Sequence, residues 1–148
     1  MRFWDSSAVL PLLVQEPSSG RLDARLREDP TMVVWWGTPP ECASVLARLQ
    51  ASRALSPQAY QAASERLRHL AGGWVEVLPS EAVREQAARL VRVHGLKTAA
   101  GFQLSAALVA ASFRSSELEL ITFDPRLAAA AQQEGFPLLQ EGLPKKPR

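Results

Sequence analysis

Short apolar runs alternating with much longer helical segments constrain this chain more than any other feature. The runs span residues 2–5, 31–36, 74–78 and 118–123, and 136–139 reads as an additional edge strand. Helical segments are expected at 8–14, 22–30, 39–52, 57–71, 80–94, 98–113 and 125–134, bounded by Ser, Thr, Asp, Pro and Gly in starting and stopping positions. Pro11 fits the first of these only near its first turn. Neighbouring parallel strands require a crossover connection, which is usually a helix. The alternation therefore predicts an α/β fold, a parallel sheet covered by helices on both faces.

At 148 residues the chain has the length of one domain. Its 47% hydrophobic and 22% charged residues suit a soluble protein with a real core. The single cysteine, Cys42, excludes an internal disulfide, and no Cys/His cluster has the spacing of a zinc site. Asp5 interrupts the amino terminus before a signal peptide could develop, and no stretch has the length of a membrane span. The expectation is a cytoplasmic protein with no membrane partner. The formal charge is +2, but residues 141–148 contain three bases and one acid, leaving 14 bases and 14 acids in 1–140. The expected organisation is thus a domain over 1–140 followed by a basic, flexible tail at 141–148, and net charge alone is no argument for nucleic acid.

Three acids stand where strands pass into helices. Asp5 follows the first strand, Glu41 begins the helix after the second, and Asp124 follows the fourth. Right-handed crossovers bring such junctions to one edge of the sheet, where open α/β sheets bind ligands. Carboxylates gathered there raise one another's pKa unless a cation lies between them, and oxygen donors without His or Cys suit Mg²⁺ or Mn²⁺. Structural readings stand beside this one. Thr38 and Glu41 have capping-box spacing, and Asp124-Pro125 has the form of an N-cap followed by Pro. Asp5, flanked by apolar residues, has no such explanation.

The stretches Phe3-Trp4-Asp5-Ser6-Ser7-Ala8-Val9-Leu10, Pro40-Glu41-Cys42-Ala43-Ser44-Val45-Leu46-Ala47, Gly101-Phe102-Gln103-Leu104-Ser105-Ala106-Ala107-Leu108 and Ile121-Thr122-Phe123-Asp124-Pro125-Arg126-Leu127 resemble PIN-domain proteins. The similarity is closest in character to the VapC-type ribonuclease toxins of toxin–antitoxin pairs, and it runs in order to about Leu139. It implies a three-layer α/β/α sandwich, Mg²⁺- or Mn²⁺-dependent cleavage of RNA, a homodimer, and a small antitoxin protein as partner. Asp5, Glu41 and Asp124 match three of the four family acids. The remaining family acid aligns with Ala100, and no acid lies between Gln86 and Ser116 to replace it.

Two functional readings follow from that departure. One is a PIN ribonuclease with a weakened metal site; the other is a catalytically degenerate PIN fold that binds RNA or a protein. A nucleotide-binding phosphoryl-transfer domain is disfavoured, because no Gly-rich phosphate loop is present. Ser6 and Thr38 are candidates for substrate contact or for helix capping, and Lys97 and Arg126 adjoin the acids as phosphate contacts. The helices between 39 and 71 are expected to form the antitoxin groove. His69 and His94 read as helix-end residues, Cys42 as core, and Trp4, Trp35 and Trp36 as packing groups.

Overall fold

The computed structural model describes residues 1–139, so the expected boundary at 140 and the tail at 141–148 lie outside the described residues. Four strands, β1 (Arg2–Trp4), β2 (Met32–Trp35), β3 (Val75–Val77) and β4 (Glu119–Ile121), form a parallel sheet in the order β3-β2-β1-β4. The helices are α1 (Ser6–Leu13), α2 (Ser19–Glu28), α3 (Thr38–Ala51), α4 (Pro57–Ala71), α5 (Glu81–His94), α6 (Thr98–Ala110) and α7 (Pro125–Gln133).

Alternation along the strands builds two cores. Phe3, Val33, Trp35 and Leu120 project to one face and pack with Leu90 of α5, Leu104 of α6 and Leu127 of α7. Trp4, Met32, Val34 and Ile121 project to the other and meet Val9 of α1, Leu22 of α2, Leu46 of α3 and Leu67 of α4. The result is the α/β/α sandwich that the sequence predicts. The chain steps from β1 through β2 to β3 in one direction, then crosses to the far side of β1 to form β4. The sheet therefore has a topological switch point between β1 and β4, and Asp5 follows one of those strands while Asp124 follows the other.

Four local expectations are corrected. α1 begins at Ser6 rather than Ala8, because Asp5 supplies the N-cap, and Pro11 consequently lies inside the helix. The segment 136–139 contributes one parallel bridge, Leu120 with Leu138, instead of a strand. α6 ends at Ala110; Ser112 and Phe113 take positive φ values of 51° and 60°, which ends the helical path. A short 3₁₀ turn, Ser115–Glu117, then leads into β4.

α5 and α6 approach closely at Gly101, where an added Cβ would lie 2.5 Å from Val91 Cγ1. Overpacking of this kind costs about 1–3 kcal/mol. Gly101→Ala should lower stability by that amount in chemical denaturation, and adding Val91→Ala should restore part of it. Equal stability of Gly101→Ala and the wild type would show that the interface yields freely.

Candidate active site at the switch point

Asp5 is 4% exposed. Its Oδ2 accepts the Ser7 backbone N–H at 3.2 Å, the Ser7 hydroxyl, and the Thr122 hydroxyl at 2.9 Å. These bonds tie the end of β1 to α1 and to the segment after β4. Thr122 Oγ1 in turn accepts the backbone N–H of Asp124 at 3.1 Å. Among the described residues, the group nearest Asp5 Oδ1 is the Ser6 hydroxyl, at 3.5 Å, whose single hydrogen is directed to Glu41.

Ser6 is the bridge to the second acid, donating to Glu41 Oε2 at 2.8 Å. Gln103 Nε2 also reaches that oxygen, at 3.3 Å, and donates to Thr38 Oγ1 at 3.1 Å. The capping-box expectation therefore fails. Gly37 is the N-cap of α3, Thr38 is fully buried as the first helical residue, and the Glu41 carboxylate leaves its own helix to meet Ser6 and Gln103. The N-cap expectation for Asp124 holds, since Oδ1 accepts from Arg126 N at 2.9 Å and Leu127 N at 3.3 Å.

A common pattern emerges from these contacts. Asp5 is held through Oδ2, Glu41 through Oε2 and Asp124 through Oδ1, while each second oxygen is weakly bonded or has no hydrogen-bond partner among the described residues. Even so, no group of three or more His, Cys, Asp and Glu side chains among the described residues is arranged to hold a metal ion. Ser6 stands between the Asp5 and Glu41 carboxylates, and Thr122 ties Asp5 to the backbone of Asp124. Mg²⁺ is commonly held by one or two carboxylates together with water and substrate phosphate, and Asp5 and Glu41 supply donors of that chemistry.

Two clefts open beside the other two acids, neither of them lined by Asp5 itself. One, of about 440 Å³, is lined by Ser6, Glu41, Ser44 and Arg48. The other, of about 360 Å³, is lined by Leu96, Lys97, Ala100, Asp124 and Arg126. Position 100 thus shares a cleft with Asp124, and the two cations expected near the site line it too. Sequence reasoning misses the contributions of Thr122 and Gln103. The available signal for Gln103 was a polar residue within the buried Ala- and Leu-rich face of α6.

Other candidates resolve structurally. His94 pairs with Glu134 at 2.7 Å, and Arg89 grips the same carboxylate at 2.8 and 3.0 Å. The Arg89 guanidinium holds the Glu134 carboxyl below its ordinary range. His69 is exposed in the last turn of α4. Burial pushes the Cys42 thiol up to about 12, as suits a core residue. Trp4 and Trp35 pack in the two cores, with Trp35 stacked on Phe102 at 5.4 Å, whereas Trp36 is 52% exposed.

Comparison with solved structures places this architecture. PAE2754 from Pyrobaculum aerophilum is 19% identical, with a TM-score of 0.67 over 93% of this chain and 82% of that one. FitAcB from Neisseria gonorrhoeae is 21% identical, with a TM-score of 0.62 over 93% of this chain and 96% of that chain. The chain shares their fold. The structure of FitAB bound to the IR36 DNA fragment is likewise similar, at 19% identity and a TM-score of 0.61, covering 93% of each chain. No protein-family model and no curated protein matches the chain. Among the described residues, no helix is long and apolar enough to cross a membrane.

Burial raises the Asp5 carboxyl pKa above its ordinary value despite the Ser7 and Thr122 hydrogen bonds, and the Asp124 charge adds to the rise. Burial likewise raises Glu41, with Asp5 adding to it against the Ser6 and Gln103 bonds. Both contributions to stability are greatest below the unfolded carboxylate range near about pH 4 and are lost as pH rises through the folded values. Asp5→Asn should therefore raise the metal-free Tm at pH 7 by a few degrees and flatten its decline between mildly acidic and neutral pH. Thermal melts in chelator would check this, and a variant with the wild-type slope would contradict it.

Proposed function

We propose that this chain is a metal-dependent ribonuclease of the PIN and VapC type, weakened by the alanine at position 100. The observation that carries this reading is buried Asp5, with Ser6 between it and Glu41 and Thr122 between it and the backbone of Asp124, each of the three acids held through one carboxylate oxygen. Mg²⁺ or Mn²⁺ is the proposed cofactor, with Asp5 and Glu41 as its principal holders and Asp124 completing the site through water. Such a cation, when bound, polarises a phosphate oxygen and lowers the pKa of an attacking water.

The residues of the chain supply orientation and charge. Ser6 keeps Asp5 and Glu41 in register, and the unpaired oxygen of Glu41 is placed to accept a hydrogen bond from a water. Hydrolysis forms a phosphorus–oxygen bond to that water and breaks the one to the leaving sugar oxygen. Lys97 and Arg126 on the Asp124 side, with Arg48 on the Glu41 side, would hold flanking phosphates; guanidinium groups suit bidentate contact. Support for nucleic acid as partner also comes from the DNA fragment bound by the FitAB structure.

The second reading, a degenerate PIN fold that binds RNA or protein without cleaving, draws on a specific observation as well. No three acids are grouped for a metal among the described residues, and Ala100 lines the cleft beside Asp124. Cleavage of a fluorescent single-stranded RNA under Mn²⁺ titration separates the two. The wild type should cut slowly and only with metal, Asp5→Asn should be at least about 100-fold slower, and Ala100→Asp should be at least about tenfold faster, since a changed carboxylate acts on the charge at the reacting phosphate. RNA binding without cleavage in all three would select the degenerate reading.

The partner proposals are a homodimer and a small antitoxin protein. The antitoxin would lie along α3 and α4, which pack together over α1. Support for a second copy comes from edge strand β3, where Val75, and Leu78 just after the strand, are exposed, as is Trp36, whose backbone N–H bonds Val77 O. Light scattering should report a dimer for the wild type and a monomer for Leu78→Arg; a wild-type monomer at micromolar concentration would remove the dimer.

A further inference from the structure

We propose that Gln103 is a positioning residue through which α6 aims Glu41 at the Asp5 side of the site, an inference that rests on reading the acid pair as a cation site. Gln103 is 1% exposed and lies one turn after Ala100, on the same side of the helix. Among the described residues, it is the side chain by which α6 touches the acids. The turn that carries an acid in the resembled family here carries a methyl group, and the polar contact falls to the amide below it.

The amide is used from one end only. Nε2 spends its hydrogens on Thr38 Oγ1 and Glu41 Oε2, while Oε1 is buried with no hydrogen-bond partner among the described residues. Stranding a buried acceptor is unfavourable, and an apolar side chain of similar size would fill the space without that cost. Packing therefore does not account for a glutamine here; what Nε2 holds does. Rotating the amide by half a turn would set Oε1 against Glu41 Oε2, acceptor facing acceptor, so an ionised Glu41 admits one orientation. In that orientation Gln103 and Ser6 converge on the same carboxylate oxygen from two helices. The carboxylate is pinned at Oε2, and Oε1 has no hydrogen-bond partner among the described residues. Outer groups that orient ligands in this way typically contribute 10- to 100-fold to metal affinity.

The test measures Mn²⁺ binding to the full chain by electron paramagnetic resonance, without RNA, alongside the Tm in chelator. Gln103→Met keeps the volume and removes the amide. It should bind Mn²⁺ about tenfold more weakly with a Tm equal to or above that of the wild type, because the stranded oxygen is gone. Unchanged affinity would overturn the inference, and so would weaker binding accompanied by a lower Tm, which is the signature of a packing role. Thr38→Val removes the other acceptor at a fully buried position and should show a smaller loss in the same direction; if Gln103→Met fails to fold, an unaltered Thr38→Val overturns the inference. A wild type that binds no Mn²⁺ sinks the cation reading and the inference together, whereas equal binding by the wild type and Gln103→Met sinks the inference alone.

Discussion

A carboxylate out of reach of water is tolerated only where hydrogen bonds replace hydration, and in this chain that group is Asp5. Its partners come from its own helix cap and from the segment after β4, 117 residues away. Satisfying one side chain therefore requires β1, α1 and β4 to be assembled in their final positions. The same residue stands across Ser6 from Glu41 and is tied through Thr122 to the backbone of Asp124. Fold and site meet in a single group, and loosening the site would leave a buried carboxyl with an incomplete shell of donors.

The topology explains why that group lies where it does. Helices α1 to α4 cover one face of the sheet and α5 to α7 the other, so the chain must cross over after β3. The crossing opens the crevice between β1 and β4, and α6 brings Gln103 and Ala100 to its rim. Glu41 belongs to one helical layer and Gln103 to the other. Their hydrogen bond joins the two layers.

Much of this was legible in the sequence, and the failures have local causes. The parallel sheet, its helical covering and the placement of Asp5, Glu41 and Asp124 at strand-to-helix junctions follow from hydrophobic period and punctuation, which are short-range properties. The spacing of Thr38 and Glu41 permits a reciprocal cap as well as a site role; the competing partner, Gln103, is 65 and 62 residues away and wins by being buried with them. Asp5 was read as a strand residue before a serine cap, yet it is itself the cap, a distinction set by backbone direction after Trp4. The segment 136–139 has strand composition but a proline at 137, and it forms only one bridge. Gln103 gave a weak signal because a glutamine in a helix is ordinary until the face it occupies is known.

The cleft shared by Ala100 and Asp124 bears on the history of the chain. Every alanine codon is a single base change from a codon for aspartate or glutamate. The surroundings that an acid at this position would face, Asp124 together with Lys97 and Arg126, are already in place around the methyl group. The chain therefore stands one mutational step from a fuller set of acids, at a position that already lines a cleft. Position 100 is a point where the charge of the site can be set by selection while the fold that carries it stays the same.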